Sequence, residues 1–168
     1  VDSATVRRKL PSEIQIEIKE RLPAALVLAE KLFLVDQDGK IIDQYDPSEE
    51  LDLAVITGAG LRALAVGDLV EVPGFEQALD LIRTIDEFDL SNSIGISEIN
   101  IDRPEDILLV AEQSGATIHL GAGPYRDKLW RLAQVVDEIN RNERLRFAAL
   151  ERLDMRFESI VPAKFGDS

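Results

Sequence analysis

The sequence predicts an α+β domain in which two amphipathic helices cover a mostly antiparallel β-sheet. Short segments of alternating apolar and charged residues, separated by turn residues, indicate β-hairpins. Two other segments carry apolar residues three and four positions apart, which gives a helix one buried side. Their order is hairpins, helix, hairpin, helix and strand, which is typical of a layered α+β fold. A helix that crosses between two strands also permits a parallel pair, so the order is compatible with a mixed sheet.

The first third of the chain predicts strands. An early segment alternates strictly and places Ile14, Ile16 and Ile18 on one face. Further along, Asp38 followed by Gly39 is a strong signal for a tight turn between two strands. The predicted strand segments are residues 13–19, residues 24–30, the hairpin of residues 32–45 and a short apolar strand within the stretch 47–60, after its acidic start.

Two helices and three strands are predicted in the middle of the chain. The first helix follows Pro73. Its predicted buried side consists of Phe75, Ala78, Leu79, Ile82, Ile85 and Phe88. The second helix is about four turns long. Its apolar side consists of Tyr125, Leu129, Leu132, Val136 and Ile139. Between the helices, residues 94–101 predict one strand, and residues 106–123 predict two strands joined by a turn at Ser114 and Gly115.

A closing strand is predicted where residues 153–157 alternate between apolar and charged side chains. Leu153, Met155 and Phe157 fall on the predicted core side of this strand. Pro162 follows, and proline is tolerated at sheet edges but is seldom found in central strands. We therefore expect this strand at or near an edge of the sheet.

The composition excludes several kinds of function. The net charge is −13, from 19 Lys and Arg against 32 Asp and Glu. Such a surface repels phosphate backbones, so no nucleic acid partner is expected. The absence of Cys removes disulfides, thiol nucleophiles and Cys-metal sites. The sequence has no apolar run of about 18 residues. Because it starts at Val1 rather than Met, we expect a fragment of a longer protein.

Residues 119–128 place a glycine loop between a strand and a helix, which is the layout of a phosphate-binding turn. However, Arg126 stands where the dinucleotide-binding pattern needs a third glycine, and no Gly-Lys-Ser/Thr is present. His119 is the only histidine, so a zinc site would lack its usual ligands. We therefore predict no catalytic set, no metal site and no cofactor, and we expect the glycine loop to be structural.

Four segments in a fixed order carry a resemblance to a known family. They are a basic-Pro turn with an alternating strand and Glu-Arg-x-Pro-x-Ala (6–27), an Asp-x-x-Gly hairpin (34–42), a strand, Leu-Gly and helix (117–136) and a closing strand (150–162). On these segments the sequence resembles the FtsQ/DivIB family of bacterial cell-division proteins over nearly its whole length. It departs from the family pattern at Leu10, where an aromatic residue is usual, and at Phe157, where some members have Tyr.

The resemblance implies a non-enzymatic scaffold of the divisome. Family members have a short cytoplasmic tail, one membrane helix, and then a POTRA domain and a β domain outside the membrane. Residues 1–22 are accordingly expected to be the end of a POTRA domain, residues 23–162 a β domain and residues 163–168 a C-terminal tail. The fragment is expected on the periplasmic side of the cell inner membrane, where it helps to localise and regulate septal cell-wall synthesis.

The resemblance also implies protein partners, namely FtsB and FtsL, and other divisome proteins. In the family, FtsB attaches at the closing strands. The residues expected to contact the partner are Arg103, Arg156, Phe157, Ser159 and Ile160. Backbone pairing with an added partner strand is expected over residues 158–161.

Two other interpretations stay open. The chain can be a POTRA-containing module that binds peptides or serves transport outside cell division. It can also be an enzyme that binds a nucleotide through residues 121–128, which the weak glycine pattern disfavours. Binding of FtsB and FtsL peptides distinguishes the scaffold from the transport module, and a rise in melting temperature with a nucleotide would favour the enzyme.

Overall fold

The computed structural model describes residues 3–9, 13–58, 60–142 and 146–166. Two sheets are formed in these ranges, one of two strands and one of nine. The small sheet is an antiparallel hairpin of β1 (Ser3–Lys9) and β2 (Glu13–Lys19). The predicted basic-Pro turn between these strands contains Leu10 and Pro11, which lie outside the described residues.

The large sheet and three helices form the main body. Its strands are β3 (Pro23–Leu28), β4 (Leu32–Asp36), β5 (Ile41–Gln44), β6 (Val55–Thr57), β7 (Ile96–Asn100), β8 (Ile107–Ala111), β9 (Thr117–Gly121), β10 (Leu150–Asp154) and β11 (Ala163–Phe165). The helices are α1 (Phe75–Glu87), α2 (Leu90–Ile94) and α3 (Tyr125–Arg141), and a 3-10 turn, Phe147–Ala149, precedes β10.

The large sheet is mixed. Its strand order is β11-β10-β9-β8-β7-β6-β3-β4-β5. Three of the pairings are parallel, β3 with β6, β6 with β7 and β9 with β10, and the others are antiparallel. Helices separate the strands of two of these pairs, β6 with β7 and β9 with β10, whereas β4 and β5 lie between β3 and β6 in the chain. Each of these connections has to cross the sheet, as a parallel pair requires. The predicted α+β class with a mostly antiparallel, mixed sheet is confirmed.

One row of apolar side chains runs across the large sheet and forms the centre of the core. Neighbouring strands pair so that the row consists of Val27, Ile56, Ile99, Leu109, Ile118 and Leu153, all fully buried. The strand period of two puts alternate residues on this face. Helices α1 and α3 contact each other, so they cover the same face of the sheet.

Both long helices bury the sides that their spacing predicts. In α3 the buried residues are Leu129, Leu132, Val136 and Ile139, with Tyr125 partly buried. In α1 they are Phe75, Ala78, Leu79, Leu81 and Ile85, with Ile82 and Phe88 partly buried. Each fully buried side chain of this size contributes about 1.5–3 kcal/mol through removal of apolar surface from water. The helices therefore hold the sheet, and with it both sheet edges, in place.

The β1–β2 hairpin forms a sheet of its own, separate from the nine-stranded sheet. Val6 pairs with Ile16, so their side chains share one face with Ile14 and Ile18. These four side chains are 58–67% exposed. An apolar face of this kind is typical of a surface that other residues cover.

The structure corrects the predicted closing strand. β10 ends at Asp154, and the chain then leaves the sheet through residues 155–162, called here the β10–β11 loop. The alternation of apolar and charged residues predicted a longer strand, but Arg156 folds back and pairs with the buried Asp154 instead of continuing the strand. Residues 158–161, predicted to pair with a partner strand, therefore lie in this loop.

The sheet edge is formed by residues that were predicted as a C-terminal tail. Ala163–Phe165 form β11, which pairs with β10 and takes the edge position. Asp167 and Ser168 of the predicted tail lie outside the described residues. The short helix α2 was not predicted either.

Candidate functional site

The β11 edge offers unpaired backbone groups. Leu153 lies opposite Ala163, and the N–H of Asp154 donates to the carbonyl of Pro162 over 2.9 Å. In an antiparallel pair the bonded positions alternate with non-bonded ones. Ala163 occupies a non-bonded position, so its N–H and C=O point away from β10, toward the outside of the sheet. This edge can therefore accept a further strand.

The opposite edge of the large sheet is partly covered by the chain itself. The N–H of Ile41 in β5 donates to the carbonyl of Asp68 over 2.8 Å, and the Ile41 carbonyl accepts from Gly67 over 2.9 Å. The N–H of Val70 likewise donates to the carbonyl of Gly39. Covering an edge in this way prevents unwanted pairing. Of the two edges, β11 is therefore the better candidate for pairing with another protein.

The β10–β11 loop presents large apolar side chains beside this edge. Phe157 is 54% exposed and Ile160 is 72% exposed. At either end of the loop, Met155 is fully buried and Val161 packs partly against the core. Apolar side chains at a pairing edge provide the contacts that give strand addition its specificity.

Arg156 is held by the domain itself. Its guanidinium donates to both carboxylate oxygens of Asp154, over 2.9 and 2.6 Å, and lies 3.3 Å from Asp106. These bonds, together with one from the Arg156 backbone N–H, hold the pKa of Asp154 below its ordinary value, although burial opposes this. The side chain also crosses Gly121, where a Cβ would lie only 2.8 Å from its Cγ. Gly121 has φ +67°, so both space and backbone conformation require glycine there.

A buried polar pair lies next to this arginine. The Nδ1 atom of His119 is 3.7 Å from Oδ2 of Asp106, and among the described residues neither His119 Nδ1 nor Asp106 Oδ1 has a hydrogen-bond partner. Burial lowers the pKa of His119, and the positive charge of Arg152 lowers it further. The imidazole is therefore neutral at neutral pH, and Asp106 relies on arginine as its counter-ion.

The glycine loop before α3 is closed by a lysine. Lys128 Nζ donates to the carbonyl of Leu120 over 2.6 Å and also to the carbonyl of Ala122. Burial lowers the pKa of this lysine, and the charge of Arg131 adds to the effect. The loop glycines and Lys128 thus have a packing role that needs no phosphate. We predicted that this loop does not bind a nucleotide, and this stays a prediction.

The residues that the structure describes show neither a metal site nor a membrane-spanning helix. Among them, no three His, Cys, Asp or Glu side chains come together in a way that could hold a metal ion. None of the helices they form is long and apolar enough to cross a bilayer.

Comparison with known proteins decides the family. The model of the cell division protein FtsQ/DivIB C-terminal domain matches residues 25–156, which is most of the chain. The chain belongs to the FtsQ/DivIB family. The match extends from β3 to the start of the β10–β11 loop, so the resemblance stated from the sequence is confirmed.

Individual FtsQ and DivIB proteins agree with this assignment. FtsQ of Anaeromyxobacter sp. (strain K) is 36% identical over 140 residues, which cover 83% of this chain and 47% of the relative. FtsQ of Geotalea daltonii is 28% identical over 167 residues, covering 98% of this chain and 58% of the relative. DivIB of Clostridium tetani is 30% identical over 114 residues, covering 63% and 41%. The chain thus spans about half the length of the curated relatives it matches.

The residues predicted for partner contact in this FtsQ/DivIB domain fall into one neighbourhood. Four of them, Arg156, Phe157, Ser159 and Ile160, lie in the β10–β11 loop and are exposed. The fifth, Arg103, is in the turn before β8, and its guanidinium is 3.6 Å from the Asp106 carboxylate that Arg156 also approaches. Asp106 therefore links Arg103 to the loop. Contact of these five residues with a partner stays a prediction.

One residue of this neighbourhood was missed from the sequence. Arg131 of α3 donates to backbone carbonyls of the β10–β11 loop. Nothing in the helical pattern distinguishes it from a solvated arginine beside the buried Leu132. Its partners are carbonyl groups more than twenty residues away, and such groups leave no trace in a sequence.

We expect the FtsQ/DivIB domain to lose stability as the pH falls below 6.5, the ordinary pKa of histidine. The folded-state pKa of His119 is lower, so between the two values the unfolded chain binds more protons and the stability rises with pH. The contribution is fully present above 6.5 and is lost as the pH falls toward the folded pKa.

Urea unfolding at pH about 7.5 and about 5.5, on either side of the ordinary histidine pKa, measures this effect. The His119→Gln variant should show a smaller loss between the two conditions than the unsubstituted protein. Equal losses in both proteins would show that His119 does not titrate as described. Asp36 and Asp154 have lowered pKa values and stay ionised across this window.

Proposed function

We propose that this domain is a non-enzymatic docking scaffold of the divisome, which binds FtsB and FtsL through strand addition at β11. The observation that supports the proposal most directly is the open β11 edge, with the exposed Phe157 and Ile160 beside it. Membership of a family of cell-division proteins makes other division proteins the expected partners. Through them the domain would help to localise and regulate septal cell-wall synthesis.

Strand addition suits this surface for physical reasons. An added strand would satisfy the outward N–H and C=O of Ala163 through main-chain hydrogen bonds, which supply affinity without depending on sequence. Specificity would come from side chains, and Phe157 offers an aromatic ring of the kind that is enriched at binding hot spots. Arg103 and Arg156 already pair with Asp106 and Asp154, so they would offer the partner hydrogen-bond donors rather than a net positive charge.

The small hairpin fits a domain that continues upstream. We propose that residues 1–22 are the end of a POTRA domain, residues 23–162 the β domain and residues 163–168 its closing segment, of which Ala163–Phe165 form β11. The missing POTRA elements would cover the exposed apolar face of Ile14, Ile16 and Ile18. A preceding membrane helix would anchor the protein in the inner membrane, with this part on the periplasmic side.

Replacing Phe157 with alanine should weaken FtsB binding about thirtyfold, which corresponds to about 2 kcal/mol for a buried interface anchor. The melting temperature should not change, because the ring is 54% exposed in the free domain. Calorimetric titration with a soluble FtsB segment, alone and together with FtsL, measures the affinity.

Trp130→Ala is the matched control for this experiment. Trp130 is equally exposed, at 54%, but lies on α3 and not in the β10–β11 loop. The Trp130→Ala variant should bind FtsB with the same affinity as the unsubstituted protein. If Phe157→Ala binds with full affinity, or if unrelated β-strand peptides bind as tightly as FtsB, the docking function is wrong and a general peptide-binding module gains support.

A further inference from the structure

We propose that Arg131 is a positioning residue that holds the β10–β11 loop in the conformation that a partner strand recognises. The proposal rests on the proposed docking function, and it concerns what prepares the loop rather than what touches the partner. It assigns a role to a helix residue outside the set predicted for contact.

The geometry of Arg131 is that of a clamp on the loop backbone. One terminal nitrogen, Nη1, donates to the carbonyls of Phe157 and Glu158, each over 2.8 Å. The other, Nη2, lies 3.4 Å from the carbonyl of Met155. Three carbonyls from four consecutive residues thus converge on one guanidinium, which is possible only when the loop curves around it. Hydrogen bonds from a charged donor are the stronger kind.

The helix gives this clamp a fixed base. Arg131 lies between Leu129 and Leu132, which are both fully buried in the core. The α3 backbone is therefore held independently of the loop, so the guanidinium of Arg131 is presented from a rigid element.

The loop has little else to fix its middle. Its ends are tied, since the N–H of Met155 donates to the carbonyl of His119 over 2.8 Å and the Pro162 carbonyl accepts from Asp154. Residues 156–160 between them are exposed. Arg156 binds Asp154 through its side chain and its backbone N–H, and these bonds do not involve the carbonyls of Phe157 and Glu158. Among the described residues, Arg131 is the only one whose side chain donates a hydrogen bond to the carbonyls of Phe157 and Glu158.

A loop held in this way is already in the conformation that binds the partner. An apparent dissociation constant rises in inverse proportion to the fraction of molecules in the binding-competent conformation. Holding Phe157 and Ile160 in place before the encounter raises that fraction. Arginine suits the task better than lysine, because its planar fork presents several donors at once with little loss of freedom per bond.

The test compares Arg131→Met with Arg126→Met in the whole chain. Methionine keeps the length and apolar character of the stem in both variants but removes the donors. We expect Arg131→Met to bind the soluble FtsB segment about tenfold more weakly, mainly through slower association, as a competent fraction reduced to about a tenth predicts. The Arg126→Met variant should keep its affinity, because the described contacts of Arg126 are with Glu87 and the ring of Phe88 and not with the loop. The melting temperature of Arg131→Met should stay close to that of Arg126→Met.

Amide hydrogen exchange of the free protein gives the deciding measurement. In Arg131→Met the amides of residues 156–160 should exchange faster, while those of β8 and β9 keep their protection. Arg131→Lys should recover part of the protection and part of the affinity. Unchanged exchange in the loop, or full affinity of Arg131→Met, would overturn the positioning role. If affinity falls without a change in exchange, Arg131 contacts the partner directly and the proposal is also wrong.

The experiments distinguish a failure of the role proposed for Arg131 from a failure of the proposed docking function. Failure of the unsubstituted protein to bind FtsB and FtsL would remove the proposed function. Faster loop exchange in Arg131→Met would still be measurable in that case and would then report a clamp on a loop with another partner. If the unsubstituted protein binds normally and amide exchange in the loop of Arg131→Met is unchanged, only the role of Arg131 is disproved.

Discussion

Replacing Ala163 with proline is expected to lower the affinity for FtsB roughly 100-fold, or about 2.7 kcal/mol. Proline removes the outward N–H that an added strand would need, and its ring fills the space where that strand would lie. The same N–H takes no part in pairing with β10, because Ala163 occupies a non-bonded position opposite Leu153. The unfolding free energy should therefore change by no more than about 0.5 kcal/mol.

Ala163→Val is the matched variant for this experiment. Valine keeps the backbone donor and favours an extended conformation, so FtsB should bind it as tightly as the unsubstituted protein. Together the two variants separate the backbone of β11 from the side chain at position 163, which is exposed. Full affinity of the proline variant in calorimetric titration would show that β11 is not the edge to which the partner adds.

Replacing Asp36 with alanine is expected to lower the unfolding free energy by about 3 kcal/mol, as removal of one partner of a buried ion pair does. Asp36 is 2% exposed and ends β4. Its Oδ1 accepts the backbone N–H groups of Asp38 and Lys40, each over 2.9 Å, and Oδ2 pairs with Arg21. Alanine would leave the two turn amides without this acceptor and a largely buried guanidinium without its main counter-charge.

Asp38→Ala provides the comparison for Asp36→Ala. The Asp38 side chain is 69% exposed and its carboxylate is 3.6 Å from Arg21. An exposed ion pair of this kind contributes less than about 1 kcal/mol, so this variant should unfold in urea close to the unsubstituted protein. Similar losses of unfolding free energy in both variants would show that the buried carboxylate of Asp36 is not what stabilises the turn.

The acid sensitivity of the domain should depend on the same carboxylate. Burial alone would raise the pKa of Asp36, but bonds from the N–H of Lys40 and from Arg21 outweigh it, and the pKa is lowered. A lowered pKa contributes stability above the ordinary value, which is lost as the pH falls through the folded pKa. Arg21 lies in the connection between β2 and β3, so this ion pair ties that connection to the end of β4.

Periodicity was sufficient to predict most of the fold. The spacing of Leu129, Leu132, Val136 and Ile139 fixed the buried side of α3, and Asp38-Gly39 marked a turn that the structure shows with φ +84° at the glycine. These signals are local, because a helix stripe or a tight turn is decided by residues a few positions apart.

Tertiary contacts decided the features that were not predicted. β10 is shorter than its alternation indicates because Arg156 turns back onto Asp154, and Asp106, fifty residues away, adds to that turn. Residues 163–165 are too few to show the alternation of a strand in the sequence. They are a strand because they pair with β10. Phe157 and Ile160 were proposed for the site from family resemblance, and the loop that presents them depends on Arg131, which no local pattern identifies.

The position of β11 in the chain has a consequence for biosynthesis. Chains emerge from the ribosome N-terminus first, at about 5–20 residues per second. β11 follows every other described strand, and it can form only on β10, which in turn needs β9 and the crossing through α3. The surface proposed for docking can therefore form only after residues 163–165 have been synthesised. Recruitment of a partner would then select chains that contain β11 over chains truncated before it.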